Sequence, residues 1–296
     1  MSASLVTLWT DVRKRLEAAG VDTPVLDARL LIEAGAGVTR LEIVTDPRRS
    51  VTMAQIEAVD VLTRRREARE PVSHIVGHKH FWTFDLNVNA DVLTPRPETE
   101  FVVEAGLQAL LPAEGAFRIL DLGAGSGAIV LALLRERQNA TALAVDASEA
   151  ALEIVRENAE RLGVADRLDV RQGDWSKGID ERFDLVVSNP PYIRTADIDG
   201  LAPEVARYEP RLALDGGADG LDAYRAITVD LPRLIRPGGW FALEVGQDQA
   251  DAVTAMAAAA GLSTTEPRRD LAGIPRVVVG HGAGLEKALG EGRATH

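Results

Sequence analysis

Apolar residues in the first 75 positions recur at the spacing of amphipathic helices. One run places apolar side chains three and four residues apart and is predicted to end at Gly20; its members are Leu5, Leu8, Val12 and Leu16. Two more helices are predicted over residues 27–34, ending near Gly35, and over residues 53–69. Because no strand pattern alternates with these runs, residues 1–72 are predicted to form a small helical domain.

The pattern changes after this helical region. Between residues 73 and 92 the apolar positions alternate loosely, which predicts a β-hairpin that links two domains. The following segment, residues 93–100, contains two prolines that keep the chain extended up to a helix starting near Thr99. The pattern alone does not decide whether this segment is only a stiff helix entry or also a wall of an active site.

From residue 117 to residue 281, predicted strands and helices alternate. Strands are predicted over residues 118–122, 141–146, 168–172, 183–188 and 240–245, with a final pair over 263–266 and 276–280. The helices between them are predicted over residues 128–135, 148–162, 223–235 and 248–260. Alternation of this kind indicates an α/β fold with a doubly wound, mainly parallel sheet.

Composition narrows the possible functions. The chain has 296 residues and no cysteine, which excludes disulfides, thiolate metal sites and a cysteine nucleophile. Basic and acidic residues balance within residues 1–75, so the whole net charge of −12 belongs to the remaining chain and disfavours a duplex nucleic acid as partner. No apolar run approaches the length of a membrane span, and no signal pattern opens the chain, so we expect a cytoplasmic protein without a membrane partner.

The strongest chemical signal follows the strand over residues 183–188. There the sequence reads Asn189-Pro190-Pro191-Tyr192, and the two prolines end the strand in a rigid loop. The side-chain oxygen of Asn189 and the carbonyl oxygen of Pro190 are neutral acceptors that could receive both hydrogens of a planar –NH2 group, while Tyr192 offers an aromatic face. Positioning of this kind activates a poorly nucleophilic nitrogen without a base. An ordinary turn after a core strand is the alternative interpretation.

A glycine loop and two acidic positions predict a nucleoside cofactor. The loop Gly123-Ala124-Gly125-Ser126-Gly127 follows the first strand of the α/β region, and by itself it could be only a tight turn. Asp146 ends the next strand at the spacing of a ribose-binding carboxylate. Asp174 and Trp175 end the third strand, where they could bracket an adenine ring. With an amine-holding loop one strand later, we infer S-adenosylmethionine as the cofactor.

Two other patterns have weaker functional interpretations. His74, His78 and His80 lie close together in the sequence, but no carboxylate follows at ligand spacing before Asp85, so no metal site is predicted. The run of arginines at residues 64–66 is interpreted as a solvated helix face.

Several stretches together resemble the HemK/PrmC family of protein-(glutamine-N5) methyltransferases, which act on peptide chain release factors. The resemblance covers nearly the whole chain. It is carried by residues 71–77, 93–100, 121–127, 173–175, 187–193, 209–224, 237–239 and 270–273. The Asn-Pro-Pro-Tyr motif also occurs in adenine-N6 and ribosomal RNA methyltransferases, whereas residues 93–100 and 209–217 are more specific. Two departures from the family pattern, Ala124 and Thr94, affect no proposed chemical role.

The resemblance implies a fold, a domain organisation and a substrate. It implies a Rossmann-like, seven-stranded S-adenosylmethionine-dependent methyltransferase domain over residues 97–281. The helical domain over residues 1–72 would precede it and contact the release factor, a β-hairpin linker over residues 73–96 would join the two, and residues 282–296 would form a tail. The substrate would be the glutamine of the Gly-Gly-Gln motif in class-1 release factors, and the enzyme is expected to act as a monomer.

The resemblance also implies roles for individual residues. The loop residues 123–127 would line the methionine part of the cofactor, Asp146 its ribose, and Trp175 its adenine. Asn189 would lie beside the cofactor and hold the glutamine amide together with Pro190. Pro191 and Tyr192 would shape the substrate pocket.

Two alternatives remain open at the level of sequence. The first is an amino-methyltransferase acting on nucleic acid, at adenine N6 or a ribosomal RNA base, which would share the loop chemistry but is disfavoured by the acidic charge. The second is a cofactor-binding interaction module without activity, against which the intact Asn189, Tyr192 and Asp146 argue.

Overall fold

The computed structural model describes residues 4–282, which group into two units that do not simply follow chain order. One unit contains the chain up to His78 together with Leu201–Tyr208, and the other contains Lys79–Gly200 and the chain from Glu209 on. The segment predicted as a C-terminal tail lies, beyond residue 282, outside the described residues. None of the described helices is both long and apolar enough to span a bilayer.

The bounds of the helices and strands are as follows. The helices are α1 Leu5–Ala18, α2 Pro24–Ala36, α3 Arg40–Thr45, α4 Met53–Glu67, α5 Val72–Val76, α6 Glu100–Ala109, α7 Ala128–Glu136, α8 Glu149–Leu162, α9 Pro203–Tyr208, α10 Asp222–Leu234 and α11 Ala250–Ala259. The strands are β1 His78–Phe81, β2 Phe84–Asn87, β3 Arg118–Leu122, β4 Thr141–Asp146, β5 Leu168–Gln172, β6 Phe183–Ser188, β7 Ile235–Glu244, β8 Ser263–Thr264, β9 Arg268–Arg269 and β10 Pro275–His281.

The predicted helices of the first unit are confirmed, with two corrections. Gly35 does not end α2 but lies inside it, and a Cβ at this position would be 2.8 Å from Val59 Cγ2 on α4. The glycine therefore permits close helix packing, and the helix ends at Gly37 with φ 63°. Residues 73–76, predicted as the start of the hairpin, belong to the helix α5 instead, and β1 and β2 pair in a two-stranded sheet.

A group of buried and half-buried charged side chains joins α9 to the other helices of this unit. We call Asp27, Arg66, Arg69 and Glu204 the Arg66 ion-pair group. Arg66 Nε donates to Asp27 Oδ2 at 2.7 Å, and its Nη2 lies 2.9 Å from Glu204 Oε1. Arg69 donates from Nε and Nη2 to the two oxygens of Glu204 at 2.7 and 2.8 Å. Charged hydrogen bonds therefore hold a segment that is more than a hundred residues away in sequence.

The second unit is built on one mixed sheet, which confirms the predicted α/β fold. The strand order is β5-β4-β3-β6-β7-β10-β8, and β9 pairs with the same edge of β10 as β8. The first five strands in this order run parallel, and β10 is antiparallel to β7. The described part of the sheet thus has eight strands in seven positions.

Apolar side chains cover both faces of this sheet. Ile119, Leu185 and Val187 pack with α6, α7 and α8 on one face. Leu120 and Val186, which alternate with them, pack with α10 and α11 on the other face. Because both faces are buried, the central strands read as continuous apolar runs, and their carboxyl ends carry the polar residues of the site.

Candidate active site

A cavity of about 640 Å³ opens at the carboxyl ends of β3, β4, β5 and β6. All of its lining residues belong to the second unit. They include the glycine loop, Asp146, Asp174, Trp175, Asn189 and Pro191. Its volume suits a ligand of nucleoside-cofactor size. The structure therefore brings together most of the residues that the sequence singled out in separate stretches.

The glycine loop approaches this cavity with its backbone. Gly123 and Gly125 have φ values of 73° and 56°, and Gly125 has no atom within 4 Å of where a Cβ would lie. The backbone N–H groups of Gly123 and Ala124 both donate to the Val145 carbonyl, at 2.8 and 3.0 Å, and anchor the loop to β4. A ligand can thus lie directly against bare backbone at Gly125. Ser126 and Gly127 are buried at the entry to α7.

Asp146 is held in a fixed position at the end of β4. Its Oδ2 accepts from Gly125 N at 2.8 Å, and its Oδ1 accepts from Ser148 N at 2.9 Å. Each carboxylate oxygen has a second lone pair, so both can still accept a hydroxyl. The two acceptor oxygens of Asp146 therefore fit the two hydroxyls of a ribose.

Asp174 and Trp175 follow β5, and the structure gives them different surroundings. Trp175 has a φ of 52°, is half-buried, and its Cζ3 would be 3.5 Å from a Cβ at Gly123. Its indole therefore lies across the glycine loop. Asp174 is exposed and its carboxylate pairs with Lys177. Both line the cavity, but only Trp175 offers an apolar surface that is already fixed.

Asn189 contributes a free acceptor to the cavity. Its Nδ2 donates to Thr99 Oγ1 at 3.1 Å, while Oδ1 accepts no hydrogen bond from any described residue. Just before it, Ser188 Oγ donates to the Leu122 carbonyl at 2.5 Å and ties the end of β6 to β3. The side-chain oxygen is therefore positioned by two elements and available to a ligand.

The rest of the Asn-Pro-Pro-Tyr loop is divided between the cavity and the core. Pro191 lines the cavity, whereas Pro190 is buried and is not among the lining residues. Tyr192 packs against the core beneath α10 and α11, and its carbonyl accepts from Gln249 Nε2 at 3.0 Å. Burial raises the pKa of Tyr192 to about 12, so the phenol is neutral. The aromatic ring predicted to face the substrate therefore lies outside the cavity lining.

The segment over residues 93–100 is a wall of the cavity, which answers the question that the sequence left open. Leu93, Pro95 and Thr99 line it. The segment is fixed by Glu209, which accepts from Thr94 N at 3.3 Å and from Arg96 Nη2 at 2.5 Å. Two stretches that carried the family resemblance thus meet through one ion pair.

Residues 210–213, which follow Glu209, also line the cavity. The sequence alone predicts no role for residues 210–213 or for the Thr99 side chain. The one available signal was the pair of prolines in residues 93–100, because such rigid segments often border binding sites.

Two buried carboxyl groups lie in this unit, each with one oxygen that accepts no hydrogen bond among the described residues. Asp121 is the penultimate residue of β3, and burial raises its pKa to about 7 despite a hydrogen bond from Val130 N. Glu244 ends β7, and burial raises its pKa to about 7 as well. Neither was singled out by sequence, since each reads as one polar residue in an apolar strand.

The histidines do not form a cluster. His78 Nδ1 lies 3.2 Å from the Val76 carbonyl, and His80 Nδ1 lies 3.0 Å from Asp85 Oδ1. Within residues 4–282, no group of three or more histidine, aspartate or glutamate side chains is placed to hold a metal ion.

Comparison with known proteins gives matches over both units. A family model described as PrmC N-terminal domain matches residues 7–77, and one described as methyltransferase small domain matches residues 103–205. A protein of Caulobacter vibrioides named release factor glutamine methyltransferase is 52% identical over 95% of this chain and 97% of its own. Relatives of the same name from Rhodospirillum rubrum and Agrobacterium fabrum are 47% and 42% identical, covering 90% and 94% of this chain and 81% and 96% of their own.

A solved structure supports the fold. The catalytic domain of hMettl16, in complex with a MAT2A 3′UTR hairpin, aligns with a TM-score of 0.54 at 14% identity, covering 66% of this chain and 74% of that one. At this identity the likeness concerns the fold alone.

Proposed function

Since the chain belongs to the release factor glutamine methyltransferase family, we propose that it methylates a glutamine side-chain nitrogen in class-1 peptide chain release factors. The proposed target is the glutamine of the Gly-Gly-Gln motif, and the methyl donor is S-adenosylmethionine. The observation that carries the proposal is the free Oδ1 of Asn189 on the same cavity as the glycine loop and Asp146. An acceptor for a substrate amide and the residues expected to bind the nucleoside of the cofactor thus line one cavity.

The cofactor would be held by residues whose surroundings suit its parts. The bare backbone at Gly125 leaves room for the methionine portion, and Asp146 would accept from the ribose hydroxyls. Trp175 and Asp174 would border the adenine. When bound, S-adenosylmethionine supplies an electrophilic methyl group on a sulfonium sulfur.

Asn189 would orient the substrate rather than remove its proton. A neutral amide is not a base, but its oxygen can accept one N–H of the glutamine –NH2 group. The Pro190 carbonyl oxygen, which accepts no hydrogen bond from the described residues, would accept the other. Held in this way, the nitrogen lone pair would be directed at the methyl group, and positioning would replace base catalysis. Pro191 and Tyr192 would support the loop, Pro191 on the cavity side and Tyr192 from the core.

The helical unit would contact the release factor, as its match to the PrmC N-terminal family suggests. We place the enzyme in the cytoplasm, where translation termination occurs, and propose that it acts as a monomer. These assignments follow from the proposed substrate.

Labelled S-adenosylmethionine offered to three substrates tests the proposal. The substrates are a class-1 release factor, its Gly-Gly-Ala variant and duplex DNA. We expect label only on the unchanged release factor. Label on DNA would instead support an amino-methyltransferase acting on nucleic acid, and binding of cofactor without any transfer would support an inactive binding module.

The Asn189→Ala variant tests the site within the same assay. We expect turnover to fall by about two to three orders of magnitude, because the group that orients the reacting nitrogen is lost. Cofactor affinity, measured by calorimetry, should fall only slightly. Near-normal methylation by this variant would contradict the assignment of the loop.

A further inference from the structure

A short 3₁₀ turn carries two exposed side chains at the rim of the cavity. The turn covers Arg211–Ala213, and we call it the Arg211 turn. The side chain of Arg211 is 56% exposed and Leu212 is 62% exposed, although both line the cavity. Among the described residues that line the cavity, Leu212 is the one strongly exposed large apolar residue. An apolar side chain at the mouth of a binding site is available for contact with a ligand.

Backbone hydrogen bonds fix the Arg211 turn beside the loop that holds Asn189. The backbone N–H groups of Leu214 and Asp215 donate to the Arg211 carbonyl at 3.0 and 2.9 Å. Ile193 N in turn donates to the Leu214 carbonyl at 3.0 Å. Ile193 follows the Asn-Pro-Pro-Tyr motif directly, so the turn and Asn189 are held by the same short stretch of chain.

The strand order separates the turn from the residues expected to bind the nucleoside. Neighbouring strands follow the order β5-β4-β3-β6-β7. Asp146 ends β4 and Trp175 follows β5, whereas Asn189 follows β6 and the Arg211 turn belongs to the connection between β6 and β7. The turn therefore lies on the Asn189 side of the cavity, and a ligand of the turn is expected to be substrate rather than nucleoside.

The guanidinium of Arg211 is only loosely paired. Its Nε lies 3.5 Å from Asp215 Oδ2, and its Nη1 lies 3.7 Å from Asp199 Oδ1. In the same connection, Arg194 Nε donates to Asp197 Oδ2 at 2.7 Å. A guanidinium carries several N–H donors in a fixed plane, so the two long contacts leave donors of Arg211 for a ligand.

The charges around the cavity show what kind of ligand atom Arg211 suits. Among the described residues that line the cavity, Arg211 is the one cation, and the other charged side chains are Asp91, Asp146, Asp174, Asp215 and Asp222. Ionised carboxylates only accept hydrogen bonds, so Arg211 is the charged group on this cavity that donates to a carbonyl oxygen.

The proposed substrate presents carbonyl oxygens at this point. In the Gly-Gly-Gln motif the two glycines have no side chains, so an enzyme that recognises the chain next to the glutamine must contact its backbone. A backbone carbonyl is a neutral acceptor, which leaves the charge of Arg211 balanced by its two aspartates.

We propose that the Arg211 turn binds the backbone of the substrate segment that flanks the target glutamine. Arg211 donates to a backbone carbonyl of this segment, and Leu212 packs against the chain and is removed from water. This proposal rests on the proposed function, because it assumes that the group held by Asn189 belongs to a peptide. Asn189 then holds the amide of the glutamine, while the turn holds the chain that carries it.

The first test replaces the donor. Arg211→Gln should lower kcat/KM for a class-1 release factor about tenfold, mainly through KM, because a charged hydrogen bond to the substrate is lost. Arg211→Lys keeps the charge and a donor but not the planar fork, so the loss should be about threefold. Arg194→Gln is the matched control, because Arg194 is 62% exposed in the same connection but does not line the cavity.

The second test replaces the apolar contact. Leu212→Ala should lower kcat/KM about fivefold, because less apolar surface is buried against the substrate. Leu111→Ala is the matched control, because Leu111 is 64% exposed and lies outside the cavity lining. Both control variants should keep the wild-type kcat/KM. A wild-type kcat/KM in either Arg211→Gln or Leu212→Ala would overturn the proposal.

Calorimetry with S-adenosylhomocysteine tests the competing ligand of Arg211. This molecule has the same amino-acid carboxylate as the cofactor, so Arg211→Gln should leave its affinity unchanged if Arg211 binds the substrate. A tenfold loss of that affinity would show that Arg211 binds the cofactor carboxylate and would overturn the proposal.

Binding of the release factor to the enzyme loaded with S-adenosylhomocysteine requires no turnover. Arg211→Gln and Leu212→Ala should weaken this binding by the same factors as kcat/KM, and unchanged binding in both would overturn the proposal. If the wild-type enzyme binds the release factor without methylating it, the proposed function fails, and the binding data still decide the role of the turn. A wild-type enzyme that neither binds nor methylates the release factor would overturn both.

Discussion

Buried charged groups are treated differently in the two units. In the helical unit, Arg66 is 4% exposed and contacts both Asp27 and Glu204, so opposite charges lie together in the Arg66 ion-pair group. In the second unit, Asp121 and Glu244 are equally buried, yet each keeps one oxygen without a hydrogen bond among the described residues. The helical unit pairs these buried charges, whereas the second unit, which pairs Glu209 with Arg96, leaves Asp121 and Glu244 only partly satisfied.

This difference distinguishes a buried ion pair that stabilises the fold from buried carboxyl groups of the kind found at functional sites. For Glu204, burial raises the pKa, but the hydrogen bonds from Arg69 and Arg66 outweigh it and lower the pKa, as in a stabilising ion pair. For Asp121 and Glu244, burial is the larger effect and the pKa is raised to about 7. Asp121 lies one residue before the end of β3 and Glu244 ends β7, at the carboxyl edge of the parallel strands, where active sites commonly give up stability for a required arrangement.

The most direct test of this comparison replaces Arg66, the arginine that contacts both Asp27 and Glu204. Arg66→Met leaves Asp27 buried without its guanidinium partner and removes one of the two arginines that contact Glu204. We expect the free energy of unfolding of the full chain, from urea titration, to fall by about 3–5 kcal/mol.

Arg64 on the same helix provides the control. Its side chain is 67% exposed and pairs with Asp60 at the surface, so Arg64→Met should change stability by less than about 0.5 kcal/mol. Equal effects of the two substitutions would show that burial of the ion pair does not matter and would remove the basis of the comparison.

Substitution of the two carboxyl groups of the second unit is expected to raise the free energy of unfolding, whereas Arg66→Met lowers it. Their folded pKa of about 7 lies above that of the unfolded chain, so the protonated forms favour folding and this contribution is lost as pH rises towards 7. Asp121→Asn and Glu244→Gln should therefore each raise the free energy of unfolding at pH 8, by on the order of 2 kcal/mol.

The pH dependence distinguishes this cause from improved packing. At pH 5 most of the gain should disappear, because the folded wild-type carboxyl groups are then protonated. In urea titrations at both pH values, a gain that is equal at pH 5 and pH 8 would contradict the explanation.

Much of the second unit was predictable from sequence because its elements have strong local signals. The strands over Arg118–Leu122 and Thr141–Asp146 have the predicted bounds, since both faces of these strands are buried and both are bounded by turn residues. Gly35 was misread because a helix-internal glycine that admits Val59 has the same local pattern as a helix end. The spacing of apolar residues indicates which positions are buried, but not which residues they pack against.

The site was predictable only where one short stretch carries its chemistry. Asn189 and Asp146 stand at strand ends and could be named, whereas the hydrogen bond between Asn189 and Thr99 joins segments 90 residues apart and forms only in the folded chain. The same reason hid the contact between Glu204 and Arg66. Residues that meet only through long-range contacts have no characteristic spacing in the sequence, so a motif cannot identify them.

A smaller effect is expected for Arg69, which forms two hydrogen bonds with Glu204. Arg69 holds both oxygens of Glu204 with a planar guanidinium, and the hydrogen bond to Glu204 raises the pKa of Arg69 more than burial lowers it. Arg69→Lys keeps the charge but not the two parallel bonds, so stability should fall by about 1 kcal/mol. Thermal unfolding measures the change, and no loss would mean that charge alone secures the segment Leu201–Tyr208.

The smallest effect is expected at an exposed pair beside the cavity. Asp174 and Lys177 are both largely solvent-exposed, so Asp174→Ala should alter the free energy of unfolding by less than about 0.5 kcal/mol. Cofactor affinity should fall only a few-fold, because Trp175 and Asp146 keep their positions without this carboxylate. Lys177→Ala frees Asp174 from its partner and should leave affinity unchanged or slightly higher. A large loss of affinity in Asp174→Ala, measured by calorimetry, would show that an exposed carboxylate contributes more to cofactor binding than the fixed residues around it.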